Sequence, residues 1–404
     1  MRRLMMLLAI GVCVGFAVQA QDPLEVQVWS YDVPGEAAYF EGLAEAFTAS
    51  DEGAPVEIQL DKWDKAHDTI AEWLAADAGP DLVVVPDIWL AEFAADLAPF
   101  GKYVPQDLKD DFFEVLYNKG LYAGHLLGLV WATSTKALFY RTDLFEQAGL
   151  DPPQTWEEQL GAAVALNNPP EVYGLGLPGA REYETDDNLF FYFWSAGGTF
   201  FDDHGKCALN SAAGVKALTF YCDLVNKYHV TQPEVTTYSR KETRRLLEAG
   251  RLAMFATGPW GVEQMRKNAP GVPFDVVPLP VDKKPVTQII TDHLVMPRYC
   301  ARKELAARFV RFAYRDAHRL AYAKLGLLPE KTTVAADAYF QQDPKWKVFI
   351  DVIPHGHTIP LIEWEPIGDA IREAMHQALS GRKTPKAALD DLAAEIDALR
   401  AKSK

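Results

Sequence analysis

The stretch that most limits how this chain can fold is "DLVVVP", Asp81 to Pro86, a short and continuously apolar run bounded by Gly79-Pro80 and flanked by helix-like segments. A strand apolar on every position must be buried on both faces, as happens in a parallel sheet covered by helices. Two more runs precede it. "PLEVQVWSYD" (Pro23 to Asp32) alternates as a strand, a helix-like run covers Glu36 to Ala49, and "PVEIQL" (Pro55 to Leu60) is a second strand. A helical stretch from Asp64 to Ala76 then leads back to Asp81, which completes a βαβαβ start and predicts an α/β fold. "KALFYR", "LAMFAT" and "FDVVPLP" read as later strands, separated by helical segments such as Ala212 to Tyr228, and the end from Trp364 to Lys402 reads as helix. "PPQTWEEQL" predicts a helix start with Thr155 as N-cap and Glu158 completing a capping box, with Trp156 packing over the preceding loop.

The first twenty residues stand apart. "MRRLMMLLAIGVCVGFAVQA" has Arg2 and Arg3, an apolar stretch from Leu4 to Val18 and small Ala20, the pattern of a secretory signal cut near Ala20. The apolar run is shorter than the ~20 residues a spanning helix needs. Cys13 follows Val12 rather than a small residue, which disfavours lipidation. The formal net charge is −16 and becomes more negative once Arg2 and Arg3 are removed, which argues against nucleic acid or an anionic membrane as partner. A chain of 404 residues exceeds the ~250 to 300 at which one core usually splits, so two lobes are expected. Cys207, Cys222 and Cys300 fit no zinc spacing; Cys207 and Cys222 could pair, or all three could be buried thiols.

Four segments in this order resemble one family: "ALFYRTDLFEQAGLDPPQTWEEQ", "GRLAMFATGPW", "FDVVPLP" and "EAMHQALSGRKTPKAALDDLAAEI". They are similar to family 1 extracellular solute-binding proteins, the receptors of sugar-importing ABC transporters, a group that includes maltose-binding protein. The resemblance implies a two-lobe periplasmic binding protein-like fold with the ligand cleft between lobes. By that pattern residues 21–137 plus 286–328 form lobe 1 and residues 138–285 plus 329–404 form lobe 2, with hinge crossings near Lys136 to Leu138 and Lys284 to Val286. It also implies a monomeric periplasmic protein that is not an enzyme, needs no cofactor or metal, and passes a sugar or oligosaccharide to permease subunits in the inner membrane.

A sugar has apolar C–H faces that suit flat aromatics and hydroxyls that suit carboxylates and amides. Open parallel sheets bind ligands at the carboxyl ends of their strands. Here three such ends carry aromatic and acidic residues: Trp29 with Tyr31 and Asp32, Trp63 within "DKWD", and Asp87 with Trp89. Core packing is the rival account for each tryptophan, and helix N-capping for Asp87. The opposite wall is expected from Trp260, where Gly258 and Pro259 bend the chain sharply into a helix and the family's matching tryptophan stacks on sugar. Asp187 in "REYETDD", Trp131 ahead of the first crossing, and Trp364 with Glu365 complete the candidate set. The alternatives are a secreted glycoside hydrolase, which needs two carboxylates roughly 5 to 9.5 Å apart, or a binder of a polyol, glycerol phosphate or a metal ion, the last through His355 and His357. Few bases, Lys62 and Arg181 among them, lie near these clusters in sequence, which favours a neutral sugar.

Overall fold

The computed structural model describes residues 22–402 apart from 32, 183, 184, 361 and 363, so the signal segment and Asp32 lie outside the described residues. Strands run in the order β1 (Leu24–Trp29), β2 (Val56–Asp61), β3 (Leu82–Pro86), β4 (Leu121–Tyr122), β5 (His125–Leu126), β6 (Gly128–Ser134) and β7 (Ala137–Tyr140). β8 (Met254–Thr257), β9 (Asp275–Val277), β10 (Thr287–Gln288), β11 (Ile290–Val295) and β12 (Gly356–His357) follow. The first three are parallel neighbours, with β1 between β2 and β3. Sequence pattern and position agree: β2, at the edge, alternates in burial, while Leu82 to Val85 of β3 are buried without a break.

β11 then enters antiparallel between β3 and β6, giving a five-stranded sheet in the order β2-β1-β3-β11-β6. A second sheet, β8-β7-β9, is antiparallel throughout. The chain passes from one sheet to the other in two residues, Thr135 and Lys136, between β6 and β7. The fold is the expected two-lobed α/β architecture, and each sheet has its own core. Phe40, Val84, Trp131, Leu294 and Phe309 pack around the first. On the second, alternation along β7 sends Leu138 to a cluster with Phe145 and Phe190, and Phe139 to another with Phe255 and Trp346.

The Thr155 capping box forms as predicted, and Trp156 is 2% exposed between Tyr192 and Phe220. The carboxyl-terminal helical region is two helices, Trp364–Leu379 and Pro385–Lys402. Cys207, Cys222 and Cys300 are all free and buried, so the Cys207–Cys222 pairing does not form. Burial pushes the Cys222 thiol up to about 12, which keeps it protonated and unreactive. Among the described residues no helix is long and apolar enough to cross a membrane.

Trp131, expected at the cleft, is instead core: it is 1% exposed and packs against Phe40, Tyr314 and Tyr322. The guanidinium of Arg319 lies 4.9 Å from its ring centroid and is fixed by Glu330 at 2.7 Å, and both charged side chains are buried. Removing one partner of such a pair leaves an uncompensated charge, whereas replacing both need not. Glu330→Ala should therefore lower unfolding free energy by about 3 to 5 kcal/mol in a urea titration. The double variant Arg319→Met, Glu330→Leu should lose much less; equal losses would show that packing, not charge, matters at this point.

Candidate ligand-binding cleft

The site begins where β1 ends. Trp29 itself points into the core, 3% exposed, its indole N–H donating to the Val84 carbonyl at 2.8 Å. Beyond it, Glu36 at the start of the helix Glu36–Thr48 accepts from the Ser30 hydroxyl at 2.7 Å and from the Tyr31 N–H at 3.1 Å. That buried carboxylate pins the strand-to-helix turn and fixes where Tyr31 projects. The Tyr31 hydroxyl donates to Asp292, and burial, aided by that carboxylate, raises its pKa well above the usual phenol value.

Trp63 sits in a single 3₁₀ turn just after β2. Its ring centroid is 5.9 Å from Tyr31 and 6.3 Å from Trp89, so the ends of three neighbouring strands present a row of half-buried aromatics. Trp89 belongs to the short helix Asp87–Phe93 and stacks edge-on against His67 at 4.9 Å. Asp87 does something else. Its carboxylate is buried, caps no helix, and pairs with Lys119 Nζ at 2.8 Å, which also donates to the Ile359 carbonyl at 3.3 Å. The structure thus places it as the counter-charge of a buried lysine rather than as a helix cap.

The opposing residues come from the second lobe. Pro259 precedes the helix Trp260–Asn268, and the Trp260 indole lies across Gly258 so closely that an added Cβ would approach it to 2.3 Å. Only glycine permits that placement. Trp260 is half-buried, with Lys136 Nζ 4.6 Å and the Arg240 guanidinium 5.1 Å from its ring centroid. Asp187, at the start of the helix Asp187–Ser195, accepts from Gln288 Nε2 at 2.8 Å and lies 3.5 Å from Lys136 Nζ. Trp364 is core, 3% exposed against Phe190 and Phe200, while its neighbour Glu365 is exposed and accepts from Trp89 Nε1 at 3.4 Å. That bond joins the two walls. Ile88, one residue before Trp89, is buried in the cluster of the second lobe.

Of the sequence candidates, the structure brings Tyr31, Trp63, Trp89 and Glu365 into one cluster, and Asp187 and Trp260 into a second, linked through Lys136. Trp131 and Trp364 go to the cores and Asp87 to its ion pair. His357 stacks on Trp194 at 5.5 Å, and burial together with Lys284 pushes its pKa down to about 4. Arg181 pairs with Glu373 at 3.0 Å.

Sequence reasoning passed over Asp292, Lys136, Gln288 and Arg240. Asp292 lies at the amino end of β11, but that strand is antiparallel, so it stands beside Pro86 at the same edge as the parallel strands' carboxyl ends. An acid inside "IITDHLVM" was the available signal. Lys136 opens a run read as a strand and was named only as a hinge position, not as a site residue. Gln288 Oε1 and Thr257 Oγ1, both on residues 1% exposed near this lysine, have no hydrogen-bond partner among the described residues. Buried polar atoms usually have one.

A family model, bacterial extracellular solute-binding protein, matches residues 32–319, and the chain belongs to that family. It is similar to a binding protein of Brucella abortus strain 2308, 29% identical over 371 residues, or 89% of each chain. Among solved structures it is similar to a solute-binding protein of an ABC transporter from Thermotoga lettingae with α-D-tagatose bound: 26% identical, TM-score 0.78, covering 93% of this chain and 99% of the other. Its fold also matches the sugar-binding protein of Xanthomonas citri at TM-score 0.84 and 23% identity, over 95% of this chain and 98% of that one. The family and these relatives are binding proteins.

Next to Asp292, His293 is 0% exposed, and burial with the nearby Lys119 charge pushes its pKa down to about 3. The unfolded chain takes up this proton near the ordinary value of about 6.5, while the folded protein refuses it until about pH 3. The stability it lends is complete above about pH 6.5 and drains as pH falls through that window, by up to about 1.4 kcal/mol per pH unit. His293→Leu should flatten this part of the profile of unfolding free energy against pH. An unaltered slope below pH 6.5 would show that His293 is not held neutral.

Proposed function

We propose that this protein captures a neutral sugar or short oligosaccharide in the cleft between its lobes and delivers it to the permease subunits of an ABC importer. The carrying observation is the Trp89–Glu365 bond, which brings an aromatic row and a carboxylate from different lobes to one place. Tyr31, Trp63, Trp89 and Trp260 would cover the C–H faces of the ligand, and Asp32, Asp187, Asp292 and Glu365 would accept from its hydroxyls. Trp364 would act only by seating Glu365. The tagatose-bound relative and the sugar-binding relative support this ligand class.

The lobes would be residues 21–137 plus 286–328 and residues 138–285 plus 329–404, a division supported by the change of sheet at Thr135–Lys136 and the return to the first sheet at β11. Ala323 and Leu328 already pack with Phe255 of the second lobe, which favours a second boundary nearer 323. Residues 1–20 would be removed on export, leaving a monomer in the periplasm that returns its ligand chemically unchanged.

A neutral mono- and oligosaccharide panel should contain a member that raises the melting temperature, by the equivalent of about 2.7 kcal/mol at a hundredfold excess over Kd. A shift from glycerol phosphate or a metal ion alone would overturn the sugar reading, and a shortened oligosaccharide after long incubation would favour a hydrolase.

With that sugar, Trp63→Ala and Trp260→Ala should each weaken binding by ~2 kcal/mol or more while the fold persists. Small-angle scattering should give a smaller radius of gyration when it is saturating. An unchanged radius despite tight binding would mean that the second lobe does not form a wall.

A further inference from the structure

Both chain crossings described above put a polar side chain at one point. Lys136 lies in the two-residue crossing from β6 to β7, and Gln288 ends β10 on the way from β9 to β11. Their backbones are tied reciprocally: the Lys136 N–H donates to Thr287 Oγ1 at 2.8 Å, and the Thr287 hydroxyl donates to the Lys136 carbonyl at 2.8 Å. From this clamp two side chains reach outward to Asp187, Gln288 Nε2 at 2.8 Å and Lys136 Nζ at 3.5 Å. The same ammonium lies 4.6 Å from the Trp260 ring centroid, and Lys136 is 1% exposed.

An ammonium removed from water must be compensated, and Asp187 supplies the charge. A desolvated cation over an indole also fixes the ring, because the attraction depends on the cation lying over the π face. We propose that Lys136 is a positioning residue for Trp260: held by Asp187 and by the clamp at the crossings, its ammonium sets the tilt of the indole and so ties ligand stacking to the two segments about which the lobes turn. The proposal rests on the reading of Trp260 as a ligand wall. A lysine present only to neutralise Asp187 would leave the ring indifferent to its removal.

Two measurements on the mature full-length protein separate these ideas. The first needs no ligand: the near-ultraviolet circular dichroism of the protein minus that of its Trp260→Phe variant isolates the fixed indole. In a Lys136→Met background this difference band should collapse, and in a Lys136→Arg background it should persist. Lys136→Gln, which keeps a donor near Asp187 and removes the charge, should behave as Met does and serves if the Met variant fails to fold. An unchanged band in both neutral variants overturns the proposal.

The second measurement uses whichever of D-tagatose, maltose and maltotriose gives the largest thermal shift. Lys136→Met should weaken its binding tenfold or more, Lys136→Arg less than threefold, and Lys136→Met should add nothing in a Trp260→Ala background. An equal loss in that background overturns action through Trp260. If Trp260→Ala itself leaves affinity unchanged, the wall reading fails, and the link from Lys136 to ligand stacking falls with it. A collapsed difference band in the same protein would still establish the positioning contact.

Discussion

Where the chain changes sheets, a small reciprocal contact satisfies both the N–H and the C=O of Lys136 through the single hydroxyl of Thr287. A chain leaving one sheet and entering another within two residues would otherwise bury a peptide group with no ladder to join. Threonine can both donate and accept, so one side chain closes the account for both groups. Because the two partners belong to different crossings, the bonds hold those crossings side by side. Thr135, the other residue of the first crossing, donates from its hydroxyl to the Phe349 carbonyl at 2.9 Å, which ties the same point to the helix Pro344–Asp351.

The contacts across the cleft mouth are weaker. The Trp89–Glu365 bond is long, at 3.4 Å, and exposed, so water competes for both partners and its net worth is at most about 1 kcal/mol. Burial of Ile88 against the second lobe adds about 1.5 to 3 kcal/mol by the usual transfer scale. Moving a two-state equilibrium from almost fully open to almost fully closed takes about 5.5 kcal/mol. These two contacts at the cleft mouth together fall short of that figure, and a ligand touching both walls would add to them.

What the sequence disclosed follows from the range of the interactions involved. The three parallel strands, the Thr155 box and the Gly258-Pro259-Trp260 corner are set by residues within a few positions of one another, and each was legible. Trp131 was not, because its ring is enclosed by Tyr314, Arg319 and Tyr322, some 180 residues downstream. Trp364 fails for the same reason, its partners being Phe190 and Phe200. Asp87 looked like a ligand or a cap until Lys119 arrived from another helix. The strand-end rule also has a direction built into it. It finds residues after parallel strands and overlooks Asp292, which enters the same edge from an antiparallel one.

The count of bases near the cleft was too low in sequence, yet the two lysines among them do not argue for an anionic ligand. Lys119 is neutralised by Asp87 and Lys136 by Asp187, with both lysines and both acids buried. A phosphate ester drawn to either ammonium would have to displace a carboxylate already in contact and leave it buried without its cation, a loss of several kcal/mol. A hydroxyl imposes no such exchange. It can donate to a carboxylate that is already paired, because an ionised carboxylate accepts at several positions at once. The Asp187–Lys136 pair, which would oppose an anionic ligand, also holds an acceptor in a fixed position near Trp260, as a neutral polyhydroxylated ring would use.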